Sequence, residues 1–255
     1  MTMLVLVLAI ACAFRGLWSP CGLSMLSTIT PLGERARGHS YAWSMSWYLV
    51  GATAGGACLG ACLSAGAAAV ALVGSHQGPG YVVTAVAVVL CLAGDARLGG
   101  LRLPDRPRQV NERWLDRFRP WVYSSGYGWQ IGTGIATYVM TDAIYALIVA
   151  SVVTLTPVAA FAVGTVFGIV RGACLLAGAS VSTPASLRVL HARVARIAPW
   201  SVAAPTGAQV AILLYLSAAT GQPAVVAGCA IASGALALGV LRQARTEASM
   251  SLAAR

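Results

Sequence analysis

Seven apolar stretches decide most of what this chain can become: residues 3–30, 42–73, 80–96, 125–153, 157–181, 202–219 and 223–241. A helix that crosses the hydrocarbon core of a bilayer needs about 20 mostly apolar residues. In lipid every backbone N–H and C=O must be paired within the protein, which leaves only helices and closed barrels. Runs of this length predict helices. The composition agrees, with 58% hydrophobic and 9% charged residues among 255, where a soluble domain carries about 25% charged residues. The expectation is one all-α polytopic domain over residues 1–255. The third stretch is short and the second long, so their ends are the softest.

All 17 basic residues are arginine. We read this as a coding bias; it excludes nothing about the fold and does not point to nucleic acid. Their placement is informative. Arg35 and Arg37 fall between the first two stretches. Arg97, Arg102, Arg106, Arg108, Arg113, Arg117 and Arg119 fall between the third and fourth. Arg188, Arg193 and Arg196 fall between the fifth and sixth, and Arg242, Arg245 and Arg255 follow the seventh. The alternate loops have none. With seven crossings these arginines lie on one side, which the positive-inside rule makes cytoplasmic. The expectation is a multi-pass protein of the cell membrane, N-terminus outside and C-terminus inside. No basic n-region or A-x-A site marks a cleavable signal peptide.

The 97–124 loop alternates arginine with Trp114, Leu115, Phe118 and Trp121 and is expected to lie along the inner membrane face; the 187–197 segment has similar character. The lipid bilayer is thus the first partner expected. Stretches one to three and four to six run in opposite senses. That is the layout of a 3+3 inverted repeat, 3–96 against 125–219, with 223–241 as an extra helix. Both halves open with a tryptophan before a helix-weakening stretch: Trp18-Ser19-Pro20-Cys21-Gly22 and Trp129-Gln130-Ile131-Gly132-Thr133-Gly134. Broken helices at matching places in two halves point to a working site. Proline removes a backbone donor inside the helix, which lipid does not replace.

Ionisable groups add to that site. Arg15 and Arg171 lie inside apolar stretches, where a charge must be paired, hydrated or led to the interface. Asp142 is the carboxylate well inside a stretch, and it reads equally as a structural counter-ion or a coupling group. Asp95 reads as interfacial. Seven cysteines, at 12, 21, 58, 62, 91, 174 and 229, all fall in apolar stretches, where a thiol is most often a small buried hydrophobe. Cys21 and Cys174 come out at similar depths, each close along its helix to an arginine. A fixed cation favours the reactive thiolate. Cys58 and Cys62 are one turn apart, a weak soft-metal pair. His39, His76 and His191 are dispersed, and no cofactor fingerprint is present.

Ser19-Pro20-Cys21-Gly22-Leu23 resembles the S-P-C-x-L-P motif of the cytochrome c biogenesis/DsbD transmembrane family of the CcdA type. Gly128-Trp129 falls where that family has G-W-T-P-C-x-G-P, with Ile131 at the proline and Gly132 at the second cysteine. The resemblance implies a membrane thiol-disulfide oxidoreductase working with a thioredoxin-like protein. Cys21 would be the reactive thiol and Cys174 its alternative partner, since the second motif cysteine is replaced. Two other classes compete: a transporter moving a small anion or thiol compound past Arg15, Arg171 and Asp142, and a non-catalytic membrane scaffold subunit.

Overall fold

The computed structural model describes residues 1–74, 77–96, 110, 113–134, 136, 138–220, 234, 237–242 and 245. Among them there are helices and no strand. The elements are α1 (Thr2–Arg15), a 3₁₀ turn (Gly16–Trp18), α2 (Pro20–Thr28), α3 (Pro31–Ala36), α4 (Tyr41–Leu72) and α5 (Gln77–Asp95). After them come α6 (Trp114–Arg117), α7 (Pro120–Gly132), α8 (Ala143–Thr154), α9 (Pro157–Ala173), a second 3₁₀ segment (Cys174–Gly178) and α10 (Pro184–Thr220).

Three helices are long and apolar enough to cross a membrane: α4, α9 with its 3₁₀ extension, and α10. A fourth crossing appears if α1 and α2, bent by 69° at Ser19, count as one span. This is fewer than the seven stretches predicted, for identifiable reasons. The 125–153 stretch is not one helix; residues 133–142 separate α7 from α8. The apolar parts of α5 and α8, Pro79–Asp95 and Ala143–Thr154, are short. The stretch at 223–241 and the loop at 97–109 lie mainly outside the described residues.

Glycines at one-turn spacing set the packing. Gly51 and Gly55 of α4 meet α7: a Cβ on Gly55 would fall 2.9 Å from the Thr133 nitrogen, and one on Gly51 2.8 Å from the Ser125 carbonyl carbon. In return, Cβ atoms on Gly128 and Gly132 would press on the α4 backbone at Tyr48 and Ala52. A second pair of faces joins α4 to α9. There Gly56 and Gly60 oppose Gly164 and Gly168, and a Cβ on Gly56 would lie 2.7 Å from Gly168 Cα. Without a hydrophobic drive in lipid, such close contact is what holds helices together. The small-residue run Gly51-Ala52-Thr53-Ala54-Gly55-Gly56 therefore serves two neighbours at once.

Around this core α1 packs on α9 and α10, and α8 packs on α5, α1 and α4. α5 also meets α10. One apolar cluster joins α1, α5, α8, α9 and α10; another surrounds the α1–α2 bend with Cys21, Met25, Tyr48, Tyr123 and Tyr127.

The turn after α2 is tied down by Glu34, which is fully buried. Its carboxylate accepts from Arg37 Nη2 (2.6 Å), Ser44 Oγ (2.6 Å) and Tyr123 Oη (2.9 Å), joining α3, α4 and α7. A buried charge is tolerable when paired and hydrogen-bonded in this way. Gly168→Leu is expected to lower the denaturant stability of the detergent-solubilised protein by about 3 kcal/mol or more, because backbone faces it on α4. Gly207, with open space around it, is the control: Gly207→Ala should raise stability by about 0.5–1 kcal/mol.

Candidate functional site

The bend between α1 and α2 is closed by its own residues. Pro20 has no N–H to give the Gly16 carbonyl one turn earlier. Ser19 takes over: its hydroxyl donates to that carbonyl at 2.7 Å and its backbone N–H at 3.2 Å. The same hydroxyl accepts from the Gly22 N–H at 3.0 Å, capping α2. Gly22 is needed because a Cβ there would fall 2.7 Å from the Gly16 oxygen. Pro20 itself is exposed, at the first position of α2, where its fixed φ suits a helix start. The expected need for outside help at this break is therefore met locally.

Arg171 lies against the bend at Gly16. It is 4% exposed, and a Cβ on Gly16 would lie 2.7 Å from its Cζ. Its guanidinium carbon stands 5.7 Å from the Phe167 ring centroid. Tyr48, Cys21, Cys174 and Cys12 are within its electrostatic reach. It does not extend to the interface, as an arginine near the end of a span commonly does; the bundle encloses it. Sitting in the last turn of α9, its charge also complements the helix dipole. Tyr48 Oη, fully buried beside it, has no hydrogen-bond partner among the described residues.

Arg15 is half-buried and donates to Ser201 Oγ at 2.9 Å, linking α1 to α10. Asp95 is a carboxylate within its electrostatic reach. Asp95 is not a simple interfacial residue. It accepts from Thr141 Oγ1 (2.6 Å) and from the Asp142 N–H (2.7 Å), so the end of α5 caps the start of α8. Asp142 lies half-buried at the N-cap of α8, its carboxylate against Gly94. An acidic group at a helix N-terminus is favourable. The second break thus runs from Thr133, through Gly134 at φ +73°, to this double-aspartate cap.

The structure gathers Arg15, Arg171, Cys21, Cys174 and Asp142 around the two breaks. The three motif residues of α7 play other parts. Trp129 is 45% exposed on the outer face. Gly132 serves the α4 contact, and Gly134 turns the chain against the Phe167 ring. Cys174 is a free thiol, so no disulfide joins it to Cys21. Cys58 and Cys62 are exposed, and among the described residues no three His, Cys, Asp or Glu side chains converge as a metal site. Sequence reasoning missed Tyr48, Ser201 and Glu34. The one legible signal was Thr30-Pro31 ahead of Glu34, an N-cap followed by proline, which marks a short helix start.

No family model matches the chain, and no solved structure matches it. It is similar to several proteins named methylamine utilization protein MauF. It is 31% identical over 147 residues to that of Methylobacillus flagellatus, covering 57% of this chain and 52% of the relative. For Paracoccus denitrificans the figures are 32% over 166 residues, 64% and 59%. For Methylophilus methylotrophus they are 30% over 183 residues, 69% and 61%. The chain therefore spans between half and two thirds of these relatives' length.

These relatives correct the functional reading. The likeness to the cytochrome c biogenesis/DsbD family rested on two short stretches, Ser19–Leu23 and Gly128-Trp129, whereas the MauF similarity runs through most of the chain. Thiol-disulfide electron transfer and cytochrome c maturation, inferred from the motif, and solute transport, inferred from Arg15, Arg171 and Asp142, are all set aside by relatives named for methylamine utilization. The geometry supplies the physical reason: Ser19, Pro20 and Gly22 are accounted for by backbone hydrogen bonding at the bend. Cys21 packs in the apolar cluster beneath it.

Ser19→Ala is expected to destabilise the protein by about 2 kcal/mol, since it removes a helix cap and leaves a buried carbonyl short of a donor. Cys21→Ala should cost only about 1 kcal/mol, the worth of a small apolar group. Denaturant midpoints of the two variants test this; the reverse order would make the thiol, and not the bend, the centre of the motif.

Proposed function

We propose that this chain is an integral membrane protein that serves methylamine utilization. The observation that carries the reading is the name shared by its relatives, together with helices apolar and long enough to lie in a bilayer. Its working region is the polar layer between the two helix breaks, built on Arg15, Arg171, Asp95 and Asp142 with Tyr48 and Ser201.

The proposed topology has two inverted halves: α1–α2, α4 and α5 in one, α7–α8, α9 and α10 in the other. The contacts support it. Exchanging the halves turns the packing of α1 on α9 into that of α7 and α8 on α4. It turns α1 on α10 into α8 on α5, and it leaves α4 on α9 and α1 on α8 unchanged. A helix packing largely preserved under this exchange is what a pseudo-two-fold axis in the membrane plane produces. The stretch at 223–241 would add a seventh crossing.

Sidedness follows from charge. Tyr123 on Glu34, and His191 beside Ser27, bring α2, α3 and the starts of α7 and α10 to one end of the bundle. Arg35, Arg37, Arg119, Arg188, Arg193 and Arg196 belong to that end. The opposite end, where Gly66 and Gly80 meet Val152 and Val153, carries no arginine among the described residues. The arginine-rich end is the cytoplasmic one under this proposal.

The test is genetic. Deleting the gene from its host should abolish growth on methylamine as sole carbon source and leave growth on succinate intact. Complementation by the wild-type chain should restore growth, and Arg171→Met should not, even where the variant protein accumulates in the membrane. A deletion strain that still grows on methylamine would sink the proposal.

A further inference from the structure

We infer that the first half of α10 is a docking strip for anionic phospholipid headgroups, an inference that rests on the membrane reading above. α10 has 37 residues, about 55 Å of helix at 1.5 Å per residue. That exceeds the ~30 Å of the hydrocarbon core. The residues it buries are concentrated from Ser201 to Ser217, whereas Val194 is the buried residue of its first half. Pro199 and Pro205 lie inside the helix at the change of character.

The first half is held from one side. The Trp18 indole N–H donates to the Val194 carbonyl at 3.1 Å, and His191 Nε2 lies 2.9 Å from Ser27 Oγ. These contacts fix the helix against the bent first span and set which face points away. On that outer face Val189, Arg193, Arg196 and Trp200 recur at i, i+4, i+7 and i+11, a single stripe on a 3.6-residue helix. Trp200 is 73% and Val189 50% exposed, and both arginines are exposed. Arg188 and Ile197 flank them. Residues 184–220 contain no Asp or Glu.

Arginines interleaved with a tryptophan and aliphatic side chains suit one environment. At the bilayer boundary Trp200 and Ile197 meet the acyl layer, and the guanidinium groups of Arg196 and Arg193, further out along the helix, reach phosphates, to which they bind in bidentate fashion. An acidic protein surface would match the charge but leave Trp200 without an apolar counterpart. The lipid surface satisfies both.

The test uses the full chain in nanodiscs of equimolar phosphatidylcholine and phosphatidylglycerol. Lipid retained on the extracted protein is counted by mass spectrometry. The wild type should retain phosphatidylglycerol in excess over the bulk, and each arginine removed from the stripe should lower that excess by about fivefold. Arg193→Gln/Arg196→Gln should therefore bring it near the bulk ratio, and Arg193→Glu/Arg196→Glu below it. Arg35→Gln, exposed on α3, should change it little. Equal enrichment in wild type and the Glu variant would overturn the inference. So would a wild type that shows no lipid preference but binds polyglutamate in pure phosphatidylcholine nanodiscs. If the Gln variant were to unfold, the failure would show in its thermal transition, and the Glu variant and lipid count still decide. A growth defect on methylamine is not among the readouts, so this test and that of the proposed function fail independently.

Discussion

The bundle depends on how closely α4 can approach two neighbours. Its glycines fall on two faces, Gly51 and Gly55 toward α7, Gly56 and Gly60 toward α9, and each face meets a matching pair on the other helix. At such distances helix backbones touch directly, and any side chain would push them apart. α4 is thus clamped between α7 and α9, two helices of the other half of the proposed repeat. The bent α1–α2 unit and the divided α7–α8 unit then find their places by packing against this fixed centre. Arg171 illustrates the dependence: it projects from α9 into the bend of α1 because Gly168, three residues before it, is pressed against Gly56.

Both breaks solve the same difficulty by different means. At the first, the groups freed by Pro20 are satisfied within five residues, by the Ser19 hydroxyl and its backbone N–H. At the second, the help comes from another helix: Asp95 of α5 accepts from Thr141 and from the Asp142 backbone. The first break is therefore rigid on its own, whereas the second holds only while α5 and α8 stay packed. Arg15 joins them, since it reaches Ser201 on α10 and feels the charge of Asp95. A polar layer across a largely apolar bundle results, with positive and negative groups supplied by both halves.

Much of this was legible in the sequence, and the gaps have physical causes. Hydropathy located the helical stretches. The bend at Ser19-Pro20 was readable because proline has one backbone meaning. The weak stretch Trp129–Gly134 marked where α7 ends, but the length of the division was not readable, because residues 133–142 include Ile, Ala, Tyr, Val and Met and are nearly as apolar as the helices around them. Asp95 looked interfacial because its role depends on a contact 46 residues away. Glu34 was hard to read for the same reason: Thr30-Pro31 marks the helix start before it, but its partners at Ser44 and Tyr123 belong to other helices.

The motif that suggested thiol chemistry shows how a short sequence can be fixed by backbone needs alone. Any helix bent by proline inside lipid must replace one hydrogen bond and let the chain pass close to itself. A serine before the proline and a glycine two residues after it do both. Unrelated membrane proteins facing that requirement can converge on Ser-Pro-x-Gly, so the string identifies a bend before it identifies a reaction. In this chain the residue between them, Cys21, contributes apolar volume to the cluster below the bend. The distinguishing chemistry lies instead in charges that no motif contains, Arg171 beneath the bend and Asp95 across from Arg15, brought together only by the fold.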